Sequence, residues 1–304
     1  MMDYILETDN LDKKYRNFKA LNKFNMHIPK GAIYGLIGKN GAGKTTIIRI
    51  ITGLQQPTDG KYSLYGISNN DKTIIEKRKR ISAIIESPAI YSNMSAKDNL
   101  IEQYKIIGMP SFDGIDELLK LVGLENVRNK KVKYFSLGMK QRLSIAIALS
   151  SNPDFLILDE PINGLDPQGI VDIRELILKL NRKGITILIS SHYLDELSKI
   201  ATHYGFVDNG TIIKEISANE LKAKMKKKNE IIVSNINEAV KYFELKGIDY
   251  EVINDNTINI YGKVNISKVV LELAKTNCIV EEIIEKEETL ENYYMNLIGG
   301  KEYE

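Results

Sequence analysis

The sequence lacks three features that would each point to a particular class of protein. It holds a single cysteine, Cys278, so no disulfide can form within the chain and a reducing compartment is favoured. It has no apolar run of about 18 residues, which argues against a membrane-spanning segment. The first ten residues are acidic and contain no apolar run, so we expect no secretory signal there. We therefore expect a cytoplasmic protein that reaches a membrane only through a partner.

An excess of charge of one sign is also missing. The 42 Lys and Arg residues nearly balance the 40 Asp and Glu residues, which leaves a net charge of +2. No global field then draws the protein to nucleic acid or to anionic lipid, and we expect neither as a direct partner. The 304 residues, of which 43% are hydrophobic, are enough for about two globular folding units.

Hydrophobic patterning predicts the fold class of the first two thirds of the chain. Residues 1–30 alternate apolar and polar positions around a charged turn at 12–14, which predicts two or three antiparallel strands. Buried-strand runs at 32–37, 154–158 and 185–189 are each followed by a polar turn and a helical pattern. Strands that alternate with helices predict a parallel sheet covered on both faces.

Two further segments interrupt or end this pattern. Residues 88–150 have helical periodicity and few β-branched runs, which predicts a mostly helical insertion. The pair Asn209-Gly210 separates two apolar segments, 204–207 and 211–216, and is a strong signal for a β-hairpin. The first domain is therefore predicted to span 1–217.

The remaining residues predict a separate small domain. Five lysines in 221–229 are either a patch for lipid headgroups or nucleic acid, or a solvated linker, and the lack of aromatic residues favours a basic linker at 218–229. Residues 230–304 predict an α+β accessory domain. Its predicted elements are strand 230–233, helix 236–245, strands 250–253 and 257–261, helix 266–274, strand 279–284 and helix 290–297.

A phosphate-binding loop lies between the first buried strand and its helix. Residues 38–45, Gly-Lys-Asn-Gly-Ala-Gly-Lys-Thr, fit the pattern G-x-x-x-x-G-K-[ST]. Gly41 and Gly43 allow the backbone N–H groups to approach phosphate closely. Lys44 can reach the β- and γ-phosphates, and the Thr45 hydroxyl suits Mg²⁺, which prefers oxygen ligands. ATP and Mg²⁺ are the predicted cofactors.

Two carboxylates follow the second buried strand. The run Phe-Leu-Ile-Leu at 155–158 ends in Asp159 and Glu160, which a parallel sheet would deliver to its ligand-binding edge. Asp159 is then a candidate partner of Mg²⁺. Glu160 is a candidate for orienting and deprotonating the attacking water.

The segment 135–142, Phe-Ser-Leu-Gly-Met-Lys-Gln-Arg, resembles the signature L-S-G-G-Q-x-Q-R of the ATP-binding subunits of ABC transporters. The resemblance extends over about residues 3–217. Residues 163–167 resemble the D-loop, His192 resembles the switch histidine that senses the γ-phosphate, and Tyr15 resembles the aromatic residue that stacks on adenine, although a strand tyrosine can also simply pack on a neighbour. The resemblance implies these nucleotide-contacting residues: Tyr15, Gly38, Asn40, Gly41, Gly43, Lys44, Thr45, Thr46, Ser136, Gly138 and Asp166.

One position departs from the family pattern. Glu86 stands where the family has a glutamine that reaches Mg²⁺ and the attacking water, and Ser87, Pro88 and Ala89 follow it. With the altered signature and the small C-terminal domain, this resembles the branch that exports bacitracin-type and lantibiotic peptides. The implied catalytic residues are Glu160, His192 and Glu86, and the implied metal ligands are Thr45, Asp159 and Glu86.

Together these observations predict an α/β P-loop NTPase core with an antiparallel β subdomain, a helical insertion and a C-terminal α+β domain. The resemblance implies that two copies pair head to tail around two ATP molecules, and that a separate permease holds the protein at the inner face of the cell membrane. The expected function is ATP hydrolysis that drives export of, or immunity to, a peptide antibiotic. The alternatives are a slow nucleotide-gated switch at the membrane and a nucleic-acid-associated ABC ATPase.

Overall fold

The computed structural model describes residues 3–86, 90–225, 227–262, 264–287 and 289–299. It divides into two compact units, Met1–Ala218 and Asn219–Glu304. None of the helices in these ranges combines the length and the apolar character needed to cross a bilayer.

The first unit contains eleven strands and seven α-helices in the described ranges. Its strands are β1 (Tyr4–Tyr15), β2 (Phe18–Phe24), β3 (His27–Pro29), β4 (Ile33–Gly38), β5 (Asp59–Leu64), β6 (Ile67–Ser68), β7 (Ile81–Ile84), β8 (Phe155–Asp159), β9 (Thr186–Ser191), β10 (His203–Asp208) and β11 (Thr211–Ser217). Its helices are α1 (Lys44–Ile51), α2 (Ile74–Arg78), α3 (Ala96–Ile106), α4 (Ile115–Leu121), α5 (Leu137–Leu149), α6 (Pro167–Arg182) and α7 (Leu194–Ser198).

A six-stranded sheet in the order β11-β10-β4-β9-β8-β7 forms the centre of this unit. All strands except β11 run parallel, as the alternation of strands and helices predicts. β4, β8 and β9 are buried along their whole length, because the sheet is covered on both faces. Since β9 lies between β4 and β8, the carboxyl ends of these three strands meet at one edge.

The predicted hairpin at the sheet margin is confirmed. β10 and β11 pair antiparallel, and Asn209 and Gly210 between them both have positive φ values, +45° and +75°. Both central residues of a tight type I′ hairpin turn require this conformation, and Asn-Gly adopts it at low cost.

A second, antiparallel sheet contains β2, β1, β5 and β6 in that order, with β3 also paired to β1. The antiparallel strands expected in residues 1–30 are present, but the turn predicted at 12–14 is wrong. Asp12 and Lys13 lie within β1, and the chain reverses at Arg16, where φ is +45°. The charged side chains bond across the strands instead: Asp12 accepts the N–H of Lys23 at 2.6 Å, and Lys13 donates to the Gln56 carbonyl at 2.6 Å.

Between β7 and β8, the described residues from 90 onward are largely helical. They contain α3, α4 and α5, with two short 3₁₀ turns between α4 and α5. Ser95 starts α3 with a capping box, in which its hydroxyl accepts the N–H of Asp98 and the Asp98 carboxylate accepts the N–H of Ser95.

The second unit has a βαββαβ core followed by one more helix. Its elements are α8 (Ala218–Lys224), which begins at the boundary, β12 (Lys227–Val233), α9 (Ile236–Lys246), β13 (Tyr250–Val252), β14 (Thr257–Tyr261), α10 (Ile266–Ala274), β15 (Val280–Glu287) and α11 (Leu290–Ile298). The sheet order is β13-β14-β12-β15 with antiparallel neighbours, which is the ferredoxin-like arrangement. Ile231, Phe243, Ile258 and Leu273 are fully buried in its core.

The basic segment 218–229 differs from the predicted linker. Residues up to Lys224 form α8, and the central strand β12 starts at Lys227. Lys228 and Asn229 pair with β14 and β15 on both sides, because a strand tolerates polar residues on a solvent-facing side. Lys226, the side chain of Lys227 and the tail 300–304 lie outside the described residues.

The strands β4 and β10 pack closely near the centre of the sheet, and a glycine substitution can test this packing. The Tyr34 hydroxyl is buried and donates to Glu215 at 2.6 Å, and burial together with that carboxylate raises the pKa of Tyr34 well above its usual range. A β-carbon on Gly205 would come within 2.1 Å of the same hydroxyl. We expect Gly205→Ala to lower the free energy of unfolding by about 1–3 kcal/mol or more, measured by urea denaturation.

Gly138→Ala is the matched control for the same chemical change. Its β-carbon would have no neighbour closer than 3.7 Å, and the position is inside helix α5. Alanine there should leave the stability unchanged or raise it by up to about 1 kcal/mol. Equal stability of the two variants would contradict the packing described for Tyr34.

Candidate nucleotide-binding site

The loop between β4 and α1 has a backbone that only glycine accommodates without strain. Gly41 and Gly43 have φ values of +81° and +108°. A β-carbon on Gly43 would lie 2.7 Å from the Ala20 carbonyl oxygen, whereas one on Gly41 would meet only open space. The loop is therefore shaped by Gly43 against the neighbouring strand and is open at Gly41, as a phosphate cradle requires. Asn40 is exposed and Thr46 is half-buried beside it.

Lys44 is the first residue of α1 and its side chain is only 6% exposed. Its ammonium donates to the Gly38 carbonyl at 2.5 Å and to the Lys39 carbonyl at 3.4 Å, so it lies folded back along the loop. The same ammonium is 3.6 Å from the Glu160 carboxylate. A buried cation held by carbonyl groups is a ready partner for phosphate oxygens that enter the loop.

Asp159 ends β8 and connects three elements. Its carboxylate accepts a hydrogen bond from the Thr45 hydroxyl at 2.9 Å and another from the Ser190 hydroxyl at the end of β9. The side chain is 6% exposed, and a buried carboxylate is stable only when such donors satisfy it. Thr45 and Asp159 therefore present two oxygen atoms at the same point of the sheet edge.

Glu160, the next residue, is held in an unusual backbone conformation. Its φ is +50°, and its N–H donates to both the carbonyl and the hydroxyl of Ser190, at 3.1 and 3.0 Å. Its carboxylate lies between the Lys44 ammonium and the His192 ring, with Nδ1 of His192 at 2.7 Å. The left-handed backbone turns Glu160 away from the strand direction so that it faces the loop.

Ser190 is a site residue that the sequence analysis did not single out. It is fully buried, and its hydroxyl is shared between the Asp159 carboxylate and the Glu160 N–H. The only sequence signal was a polar residue at the end of a buried apolar strand. Its role depends on strand pairing, since Asp159 and Ser190 are register partners 31 residues apart.

Glu86 does not share these contacts. Its carboxylate pairs with the Arg49 guanidinium of α1 at 2.5 Å and is 66% exposed. Within the described ranges, no three His, Cys, Asp or Glu side chains lie close enough to hold a metal ion. The role of Glu86 beside Asp159 therefore stays a prediction, and Ser87, Pro88 and Ala89 after it lie outside the described residues.

The signature segment and the D-loop each begin a helix. Ser136 is the N-cap of α5, and its hydroxyl accepts the N–H of Met139 at 3.3 Å. Asp166 is the N-cap of α6 and accepts the N–H of Gly169 at 3.0 Å. The two helix starts adjoin, since a β-carbon on Gly138 would be 3.7 Å from the Gly169 Cα.

Tyr15 lies at the end of β1 with 39% of its surface exposed. Its hydroxyl donates to the Gln55 side chain, and the Lys13 ammonium is 5.2 Å from the ring centroid. An exposed ring fixed at its hydroxyl leaves a face for a purine to stack on.

The donor set fits Mg²⁺ bound together with a nucleotide. Thr45 and Asp159 supply two hard oxygen ligands, and the described residues form no complete cage around them. Mg²⁺ typically takes one or two protein oxygens and completes its octahedron with phosphate and water. The backbone N–H groups of the loop and the start of α1 add the positive potential that phosphate needs.

Comparison with known proteins agrees with this geometry. The profile of the ABC transporter family matches residues 21–163. The bacitracin transport ATP-binding protein BcrA of Enterococcus faecalis is 41% identical over 99% of this chain and 98% of its own length. The lantibiotic transport ATP-binding protein SrtF of Streptococcus pyogenes is 47% identical over 69% of this chain and 90% of its own. The solved dimer of the ATP-binding cassette MJ0796 with ADP and Pi superimposes with a TM-score of 0.62 at 27% identity, and covers 70% of this chain and 98% of that one.

The shared hydroxyl of Ser190 leads to a prediction about the two carboxylates. Ser190→Ala removes one of the two hydrogen bonds to the Asp159 carboxylate and one of the two acceptors of the Glu160 N–H, so both residues are held less firmly. We expect ATP hydrolysis to fall at least about tenfold, while nucleotide affinity changes less than about twofold because the phosphate loop is intact. Steady-state phosphate release and titration with a fluorescent nucleotide measure the two quantities.

Ser144→Ala is the control, since Ser144 is equally buried but bonds only to the Lys140 carbonyl within α5. It should retain full hydrolysis. Unchanged hydrolysis in Ser190→Ala would show that the strand-end hydroxyl does not position the carboxylates.

Proposed function

The chain belongs to the ABC transporter family of ATP-binding proteins, and from this premise we propose that it is the ATP-hydrolysing subunit of a transporter that exports a peptide antibiotic or gives immunity to one. One observation carries the proposal: Lys44, Asp159, Glu160 and His192 are linked by contacts at one edge of the parallel sheet. The bacitracin and lantibiotic transport proteins among its relatives support a peptide antibiotic as the substrate class.

The site residues divide the chemistry of ATP hydrolysis among them. Lys44 would turn from the loop carbonyls to the phosphates and neutralise part of their charge. Glu160 would orient the attacking water and accept its proton, while His192 holds the Glu160 carboxylate in place. Thr45 and Asp159 would hold Mg²⁺, which stabilises negative charge on the transferred phosphoryl group.

A pair of chains completes the site. The start of α5 at Ser136 is exposed, and its first turn contains no acidic residue that would offset the positive helix end. Such an end attracts a phosphate group presented by another chain. The dimeric state of the related cassette supports a head-to-tail homodimer in which each Ser136 faces the γ-phosphate held by the other copy.

A groove beside the edge strand β7 is the candidate surface for the permease. It is a cavity of about 470 Å³ between β7 and the helical insertion, and Leu54 at its rim is 68% exposed. We propose that a separate transmembrane subunit docks here and holds the chain at the inner face of the cell membrane. The groove adjoins the end of β7. A movement of the site when it closes around ATP can therefore be transmitted to the groove through Glu86.

We assign residues 1–217 to ATP binding, 88–150 to the helical subdomain and 230–304 to an accessory domain. The family profile lies wholly inside the first range. A slow nucleotide-gated switch is the second candidate function, because Leu137 and Met139 replace the family's signature glycine and glutamine. The transport proteins among the relatives favour a transporter over a nucleic-acid-associated ATPase.

Blocking hydrolysis should trap the dimer. Glu160→Gln removes the base but keeps the size of the side chain, so we expect hydrolysis to fall at least about 100-fold and ATP to remain bound between two chains. Light scattering after size exclusion with ATP should then give twice the 34.4 kDa of one chain.

The double variant Lys44→Ala/Glu160→Gln is the control and should remain at the mass of one chain, because the phosphates lose their main cation. A Glu160→Gln protein that stays monomeric at saturating ATP would contradict the head-to-tail dimer.

Transport itself separates the pump from the switch. Inverted vesicles that contain this chain and its cognate permease should accumulate labelled bacitracin or a labelled lantibiotic only when ATP is supplied, since hydrolysis drives the cycle. Vesicles with Lys44→Ala should accumulate none. Protection of cells without any ATP-driven accumulation in vesicles would instead favour the switch.

A further inference from the structure

An ion pair joins Glu86, the residue that departs from the family pattern, to α1, the helix that follows the phosphate loop. The Glu86 carboxylate is 2.5 Å from the Arg49 guanidinium of α1. Neither residue is part of the cluster around Asp159. The cluster around Asp159 therefore does not account for this ion pair.

Arg49 lies on the same face of α1 as Thr45. The two residues are four positions apart, so their Cα atoms are separated by about 6 Å along the helix axis. Thr45 faces Asp159 at the end of β8. The helix that carries the Thr45 hydroxyl therefore also carries, one turn further along, the cation that binds Glu86.

The backbone of Glu86 is turned just beyond the end of β7. β7 and β8 are parallel, with Ile84 opposite Leu158, so Glu86 and Glu160 both follow strands that end at the same edge of the sheet. Both glutamates have left-handed backbones, with φ of +59° and +50°. Such conformations are uncommon for glutamate and are typical of functional positions.

The pair is weak enough to open. Arg49 and Glu86 are 36% and 66% exposed, and ion pairs with this exposure contribute little to stability because water competes for both charges. A divalent cation in direct contact would attract the carboxylate more strongly than the guanidinium does, because it carries twice the charge at a similar distance.

We propose that Arg49 is a positioning residue for Glu86: it holds this carboxylate away from the phosphate site in the nucleotide-free subunit and releases it when nucleotide and Mg²⁺ are bound. The inference rests on the proposed function. Arg49 thereby prevents a third uncompensated carboxylate from repelling the incoming phosphates beside Asp159 and Glu160.

The negative charges of Glu86 and of the phosphates determine the expected result. Without Arg49, Glu86 repels nucleotide that arrives without a metal, but it still has a partner when Mg²⁺ is present. The dissociation constant of the nucleotide in EDTA, divided by that in Mg²⁺, should therefore be about threefold higher for Arg49→Gln than for the parent protein. Arg49→Lys should keep the ratio of the parent protein.

A double-mutant cycle tests the proposal through binding rather than turnover. Trinitrophenyl-ATP is titrated into the parent, Arg49→Gln, Glu86→Gln and the double variant, each in EDTA and in Mg²⁺. In the Glu86→Gln background, Arg49→Gln should leave the ratio unchanged within about 1.5-fold, because the repelling charge is already gone. Arg128→Gln, which removes a similarly exposed ion pair with Asp116, should leave it unchanged as well.

The possible outcomes distinguish a failure of this inference from a failure of the proposed function. If Arg49→Gln changes the ratio equally in the parent and in the Glu86→Gln background, Arg49 acts on the nucleotide directly. If it changes the ratio in neither background, the ion pair is structural only. Either result overturns the positioning role. A parent protein that binds no nucleotide would overturn the proposed function and this inference together.

Discussion

The buried carboxylate of Asp159 is the interaction on which the rest of the site depends. Its two oxygens are bonded to a hydroxyl of the phosphate-loop helix and to a hydroxyl at the end of β9. A carboxylate at this depth is costly unless such donors satisfy it, so the loop, β8 and β9 are held in one arrangement. That arrangement follows from the strand order, because β9 separates β4 and β8 and the three strands end together.

Lys44 and Glu160 are each held by more than one partner beside the phosphate loop. The ammonium is satisfied by the loop carbonyls and by Glu160, and Glu160 is satisfied by Lys44 and His192. Phosphate oxygens are better partners for the ammonium than carbonyl groups, because their hydrogen bonds are charge-assisted. We therefore expect nucleotide binding to affect the orientation of Glu160 through this one lysine.

Local patterns in the sequence were sufficient for most elements and for the central carboxylates. The phosphate loop, the strand that ends in Asp159 and the hairpin at Asn209-Gly210 each carry a signal within a few residues, and the structure contains them. The turn predicted at 12–14 was wrong, and the segment predicted as a linker, 218–229, contains α8 and the start of β12, because charged residues also occupy helices and strands whose partners lie far away in the chain.

The contacts made by Ser190 and Arg49 were beyond local patterns for a similar reason. Ser190 meets Asp159 through a strand register that spans 31 residues, and Arg49 meets Glu86 through the packing of α1 near the end of β7. No residue near either one signals the contact. Tertiary pairing, not composition, selects which of many serines and arginines belong to the site.

The balance of charge at the sheet edge explains how a glutamate can replace the family's glutamine. Glu160 is paired with Lys44 and His192, and Asp159 is satisfied by neutral hydroxyls, so neither leaves a cation for a third carboxylate. Arg49 supplies that cation from the one face of α1 that also carries Thr45. An uncharged amide would not repel incoming phosphates, whereas a glutamate does so unless a cation such as Arg49 offsets its charge, and we propose that it adds its charge to the site when Mg²⁺ arrives. In the proposed scheme the carboxylate stays charged and only its partner changes, from Arg49 to the metal, so that the helix that begins at the phosphate loop also carries the counter-charge.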